Sequence, residues 1–219
     1  MRSFILWTER LGAIVIELAG EVVAPTRCAA CDGSVLRRSL FCGACASTLE
    51  RADGEQGTDV AAFEYGGAIA TAIGRLKYED RADLAPRLGR AMAQAALSFE
   101  GAIDVVVPVP LHPRRLAERG YNQAALLAAP LARRLGATMV ASALARVRDT
   151  PQQARMDRES RLANVASAFV CRETDAASDK RILVVDDVRT TGATLAGCVR
   201  ALHEVGARRV STLVLARRA

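Results

Sequence analysis

Apolar residues recur along the chain in two rhythms. Short branched runs at 60–65, 103–107, 139–147, 166–171, 182–185 and 210–215 have the length and composition of strands. Those at 103–107 and 182–185 are apolar without alternation, as in a strand buried on both faces of a parallel sheet. Between them apolar positions fall at helical spacing: 68–75, 84–97, a stretch reaching about 135 despite Pro130, and Leu195, Val199 and Leu202 with Gly206 as the stop. The alternation predicts an α/β core with a mostly parallel sheet flanked by helices. Upstream, Phe4, Trp7, Leu11, Ile14, Val15, Leu18 and Val22 mark one face of a helix, expected to dock on the body of the protein. Residues 51–59 are polar and glycine-bearing, which places a boundary there. The division expected is an amphipathic helix over 1–24, a small unit over 25–59 and the α/β domain over 60–219.

The sharpest chemistry follows the run 182–185. Asp186 and Asp187 are expected to end that strand, and Thr190, Thr191, Gly192, Ala193 and Thr194 lead into the next helix. Open α/β sheets bind ligands at such a place. Backbone N–H groups at a helix start favour an anion, glycine lets the backbone come close, and hydroxyls add donors. That describes a monophosphate cradle. Carboxylates one turn upstream suit hydroxyls on the same ligand, so a ribose 5-phosphate fits. No lysine stands in the loop and GxxxxGK[ST] is absent, which argues against an NTPase.

Composition adds little to this and excludes some things. The 219 residues are 51% hydrophobic and 25% charged, enough for one medium domain and an accessory unit. The net charge is +6, but Lys77 and Lys180 are the sole lysines, so the excess is arginine. Aromatics at 4% are too few for an extended base-stacking platform. No segment is apolar for long enough to span a bilayer, and Glu9, Arg10 and Glu17 interrupt the N-terminal run, unlike a signal peptide. A cytoplasmic setting is expected, where thiols stay reduced.

In that setting Cys28-x2-Cys31-x10-Cys42-x2-Cys45 reads as a structural four-thiolate zinc site. Residues 35–36 and 40–41 are expected to form a hairpin between the knuckles. A redox dithiol is the rival reading. Cys171 and Cys198 read as small buried hydrophobes, and His203 as structural.

After the strand 103–107, prolines at 108, 110 and 113 stiffen a loop carrying Arg114, Arg115 and Arg119. Guanidinium groups bind phosphate oxygens in bidentate fashion, so a pyrophosphate fits there, with His112 beside it. Residues 148–165 are polar, carry four arginines and lie between strands, as a lid does.

The run V-V-D-D-V-R-T-T-G-A-T resembles the phosphoribosyl-pyrophosphate (PRPP) loop of type I phosphoribosyltransferases. The wider order narrows the resemblance. Cysteine knuckles, Leu76-Lys77-Tyr78, V-P-V-P-L-H-x-x-R-L-x-x-R-G-Y-N-Q, T-P-x-Q-x10-N-V-x-x-A-F and D-D-V-x-T-T-G-A-T look like the ComF family, from about Pro25 onward. That resemblance implies a type I phosphoribosyltransferase-like core with an N-terminal zinc ribbon. It implies that Asp186 and Asp187 are catalytic and hold the ribose hydroxyls, while residues 190–194 hold the 5-phosphate. His112, Arg114, Arg115 and Arg119 would serve the pyrophosphate. Gln153, Arg161 and Asn164 match the family's lid, where Arg155 replaces a small residue; Lys77 and Tyr78 are further candidates. Mg2+ would arrive with PRPP, bound mainly through ligand oxygens and waters. The expected reaction transfers phosphoribose to an unknown acceptor, in a protein tied to DNA uptake in natural transformation. The alternative is a non-catalytic component that binds PRPP and single-stranded DNA beside DNA-uptake proteins. Amidotransferase chemistry is disfavoured, because no cysteine lies near Met1. With no segment after the strand 210–215 to cover the acceptor, the zinc unit is expected to be the hood.

Overall fold

The computed structural model describes residues 26–36, 39–52, 58–99, 102–147 and 168–218. The helix expected over 4–22 and the lid over 148–165 lie outside the described residues.

The core is a five-stranded sheet built from β1 (Asp59–Glu64), β2 (Val105–Pro108), β3 (Thr138–Met139), β6 (Arg181–Arg189) and β7 (Arg209–Arg217). Its order is β1-β7-β6-β2-β3, and every pairing is parallel. This is the type I phosphoribosyltransferase fold. Strand β6 lies at the centre, and its residues from Ile182 to Asp187 are buried. Alternate side chains of a strand face opposite sides, and two cores follow. Leu183 and Val185 join α2 (Gly67–Tyr78), α3 (Ala85–Met92) and α5 (Gln123–Leu135) on one face. Ile182 and Val184 join α7 (Ala193–Glu204) on the other. Against that second face also lies an antiparallel pair, β4 (Leu144–Arg146) with β5 (Phe169–Cys171).

Helix α3 crosses α5 at Gly89, where a Cβ would stand 2.4 Å from Pro130 Cγ and 2.8 Å from the Leu127 carbonyl. Pro130 is thus part of a contact that glycine alone allows.

The structure corrects several expectations. Helix α2 runs three residues past Arg75, so Lys77 and Tyr78 form its last turn. The helix expected over 84–97 is α only through Met92. The chain then tightens into 3-10 geometry, with Ala93 N–H bonded to the Arg90 carbonyl and Leu97 N–H to that of Gln94. The strand expected over 139–147 is split, because Ala143 N–H turns back onto the Val140 carbonyl and sends β4 into the second sheet. The carboxylates do not end β6, which keeps pairing with β7 as far as Arg189. The arginine loop is a helix, α4 (Pro113–Arg119). Pro113 sets its first turn, His112 Nδ1 accepts the Arg114 N–H, and Gly120 closes it at φ 79°. Between the knuckles there is no hairpin among the described residues: the bridge joins Arg27 to Ser34 instead. A short α1 (Gly43–Ala46) follows Cys42. Cys198 is buried, but Cys171 is half-buried and His203 is exposed.

Candidate functional site

Asp186 and Asp187 leave β6 on opposite faces, as adjacent strand residues must. Both are nearly closed to solvent, at 9% and 3% exposure. Asp187 points to the α2 side, where Lys77 Nζ lies 2.8 Å from its Oδ1. Its Oδ2 is buried and has no hydrogen-bond partner among the described residues. Asp186 points to the α7 side and accepts the Asp187 N–H at 2.8 Å. Burial, and next the charge on Asp187, push the Asp186 carboxyl up to about 8, against the pull of that N–H, Lys77 and Arg146. One carboxylate is therefore ion-paired with an oxygen to spare, and the other is costly to ionise.

Past Arg189 the chain turns through exposed Thr190 and Thr191 to Gly192, whose φ of 76° favours glycine. Gly192 caps α7, a helix of 12 residues with no acidic residue in its first turn. The N–H groups of that first turn lack intrahelical acceptors. Ala193 N–H lies 3.5 Å from Thr191 Oγ1, while Ala193 and Thr194 are half-buried. This is the local geometry of an anion-binding helix start.

The segment 108–121 is brought alongside by β2. Pro108 registers with Val185, and Val109 N–H bonds the Val185 carbonyl at 2.9 Å, one residue short of Asp186. Arg119 donates to Gln123 Oε1 and sits 5.7 Å from the ring centre of Tyr78. Tyr121 donates its hydroxyl proton to the Leu76 carbonyl. Lys77, Tyr78 and Arg119 thus meet at the end of α2. Arg114 instead pairs with Glu118 at 3.0 Å, and Arg115 is exposed on α4. Gln153, Arg155, Arg161 and Asn164 lie outside the described residues.

The four cysteines assemble, with their sulfurs all within 4.8 Å of one another. A tetrahedral thiolate site with Zn–S near 2.3 Å separates its sulfurs by about 3.8 Å. Cys31 and Cys42 sulfurs stand 3.7 Å apart. Hydrogen bonding to Cys42, and then burial, push the Cys45 thiol up to about 12. A divalent cation among the sulfurs removes that penalty, so the donor set fits a thiolate-bound metal.

Residues 77–219 match the family described as phosphoribosyl transferase domain. Over 195 residues the chain is 32% identical to the DNA utilization protein YhgH of Salmonella typhimurium, covering 87% of this chain and 83% of that one. It is 34% identical over 115 residues to Competence protein F of Haemophilus influenzae, covering 52% of this chain and 50% of that protein. With Competence protein ComFC of Bacillus subtilis the identity is 34% over 114 residues, covering 52% and 44% respectively. This chain belongs to the ComF family of phosphoribosyltransferase-like proteins. Among the described residues of this ComF-family chain, no helix is long and apolar enough to cross a membrane.

Three residues of the ComF-family site region were passed over in the sequence: Asp32, Arg75 and Arg81. Arg75 is 8% exposed on the face of α2 that also buries Ala68, Ala72 and Leu76. It donates to Glu79 Oε2 at 3.1 Å and the Ala29 carbonyl at 3.3 Å, and contacts Asp32 Oδ2. Arg81 Nη1 reaches the other Asp32 oxygen at 3.1 Å. The signal was an arginine at an apolar position of a helical repeat, which needs buried partners.

Proposed function

We propose that this chain binds Mg2+-PRPP and transfers its phosphoribosyl group to an acceptor. The buried Asp187 carboxylate carries this reading, because one oxygen is neutralised by Lys77 and the other waits for a donor. A ribose hydroxyl is such a donor. An unpaired buried acceptor is costly, so it is kept where a ligand completes it. Asp186 takes the neighbouring position, and residues 190–194 receive the 5-phosphate on the first turn of α7. Mg2+, when bound with the ligand, would neutralise pyrophosphate charge and be held mainly through ligand oxygens and waters. The position of Arg119 beside Tyr78 supports a role for it at the leaving group, with His112 at the cap of α4 and Arg114 and Arg115 on that helix as further candidates. In the transfer the bond from ribose C1 to pyrophosphate oxygen breaks, and pyrophosphate keeps the electron pair. The acceptor's lone pair forms the new bond to C1 and its proton goes to solvent or a base.

Zinc in the four-cysteine cluster has a structural role, since four thiolates leave no open position. Residues 25–59 form that unit and 60–219 the transferase domain. The names of the relatives support a role in DNA uptake or utilization. They also support a second reading, in which the protein binds PRPP and single-stranded DNA without turnover. Pyrophosphate release with candidate acceptors separates the two.

The test of binding is calorimetry with Mg2+-PRPP. Replacing both carboxylates (Asp186→Asn with Asp187→Asn) removes the charge-assisted bond of Asp187, worth about 1.5–3 kcal/mol, together with any bond from Asp186. Affinity should fall at least about tenfold. Unchanged affinity would falsify the ribose assignment.

A further inference from the structure

Asp32 stands in the first cysteine knuckle, beside Cys31, with its backbone at φ 59°. Its carboxylate receives an arginine on each oxygen. Arg75 and Arg81 come from the same stretch of chain, and Lys77 lies between them. The stretch 75–81 is therefore anchored at both ends on one acidic side chain. Its middle faces the other way: Leu76 accepts from Tyr121, and Lys77 reaches Asp187. Arg75 is buried, and its guanidinium spends donors on the Ala29 and Ala30 carbonyls as well, all within the turn that Cys28 and Cys31 bracket. Whatever fixes that turn fixes the helix end that presents Lys77.

We propose that Asp32 is a positioning residue, holding the end of α2 so that Lys77 meets Asp187, and that metal in the cysteine cluster sets this contact. The cluster and the acidic pair are thereby linked through one helix turn. An empty cluster loosens the acceptors of Arg75, and the ammonium leaves the carboxylate. The link itself needs only the two ion pairs. Its bearing on ligand affinity rests on Asp187 being the ribose carboxylate, as proposed above.

The chain offers a clean probe, because Lys77 and Lys180 are its only lysines and Lys180 is exposed. A limiting dose of an amine-acylating reagent on the purified, metal-loaded protein, read by mass spectrometry, reports Lys77 against Lys180 as internal reference. Lys77 must leave its carboxylate to react, so it should label about tenfold more slowly than Lys180. Asp187→Asn sets the value for an unpaired Lys77. Asp32→Asn should move the ratio at least halfway to that value on a logarithmic scale, and so should removing the metal with a chelator. Metal content and near-ultraviolet circular dichroism check that Asp32→Asn is loaded and folded. If it is not, Arg81→Met carries the same test from outside the knuckle. A ratio unmoved by a folded Asp32→Asn or Arg81→Met overturns the positioning role. A ratio unmoved by chelation overturns the metal link.

Calorimetry with Mg2+-PRPP then separates the two readings. If the link holds, Asp32→Asn weakens binding at least about threefold in the native background and has no further effect beside Lys77→Met. An equal loss in both backgrounds overturns transmission through Lys77. Should the native protein not bind Mg2+-PRPP while the labelling ratios shift as expected, the transferase reading fails and the link stands.

Discussion

Asp186→Asn should make the protein more stable and a poorer binder. Asp186 is buried between β6 and α7, and its carboxyl is pushed from 3.8 up to about 8. In the unfolded chain it ionises near its ordinary value, so between those two points the unfolded state is favoured. The native state holds the extra proton, and stability contributed by this group therefore falls as pH rises. It is intact below about pH 4, declines through the neutral range and levels off above about pH 8. At 1.36 kcal/mol per unit the ceiling on that loss is roughly 6 kcal/mol. Asparagine does not ionise, keeps an acceptor for the Asp187 N–H and retains only the cost of burying an amide. That amide cost does not vary with pH, so a net gain of about 2 kcal/mol at pH 8 should shrink as the pH falls and turn into a net loss near pH 4. Urea unfolding of the metal-loaded native protein and variant at pH 5 and pH 8 measures it, and calorimetry with Mg2+-PRPP measures the lost affinity. A variant no more stable than the native protein at pH 8, or a gap that does not widen with pH, would refute the argument that burial taxes this carboxylate.

The cysteine cluster and the α3–α5 crossing are tested independently. Purified protein should carry one zinc per chain by elemental analysis, and Cys28→Ser should lose it and loosen residues 26–52 to proteolysis; a fully folded, metal-free preparation with reactive thiols would point to redox chemistry. Gly89→Ala places a Cβ 2.4 Å from Pro130 Cγ and 2.8 Å from a carbonyl oxygen that cannot swing away. It should cost about 1–3 kcal/mol in urea unfolding, and a neutral result would mean that the two helices separate freely.

What the sequence disclosed, and what it hid, divides by range. The strand–loop–helix at Asp186 to Thr194 was legible because its signals are local: a buried apolar run, a glycine at positive φ, then helical spacing. The same holds for the cysteine spacing. The boundaries that failed did so where a neighbour decides. Strand β6 runs on past its carboxylates because β7 supplies partners as far as Arg217, and no property of Asp187 alone announces that. Helix α4 was read as a loop because prolines suggested stiffness, whereas Pro113 at a first turn starts a helix. Least legible were the ion pairs. Asp32 and Arg75 are 43 residues apart and Lys77 and Asp187 farther still, so nothing in periodicity can join them. Yet each left a trace: an arginine in an apolar stripe, and a lysine beside it in a chain nearly without lysine. A buried charge has to be answered by a partner, so these two positions mark where α2 meets something other than the apolar core. Arg75 meets the cysteine knuckle and Lys77 meets the acidic pair. One helix end therefore serves both the accessory unit and the candidate site, and a division of the chain into separate units near residue 59 conceals the contact that joins them.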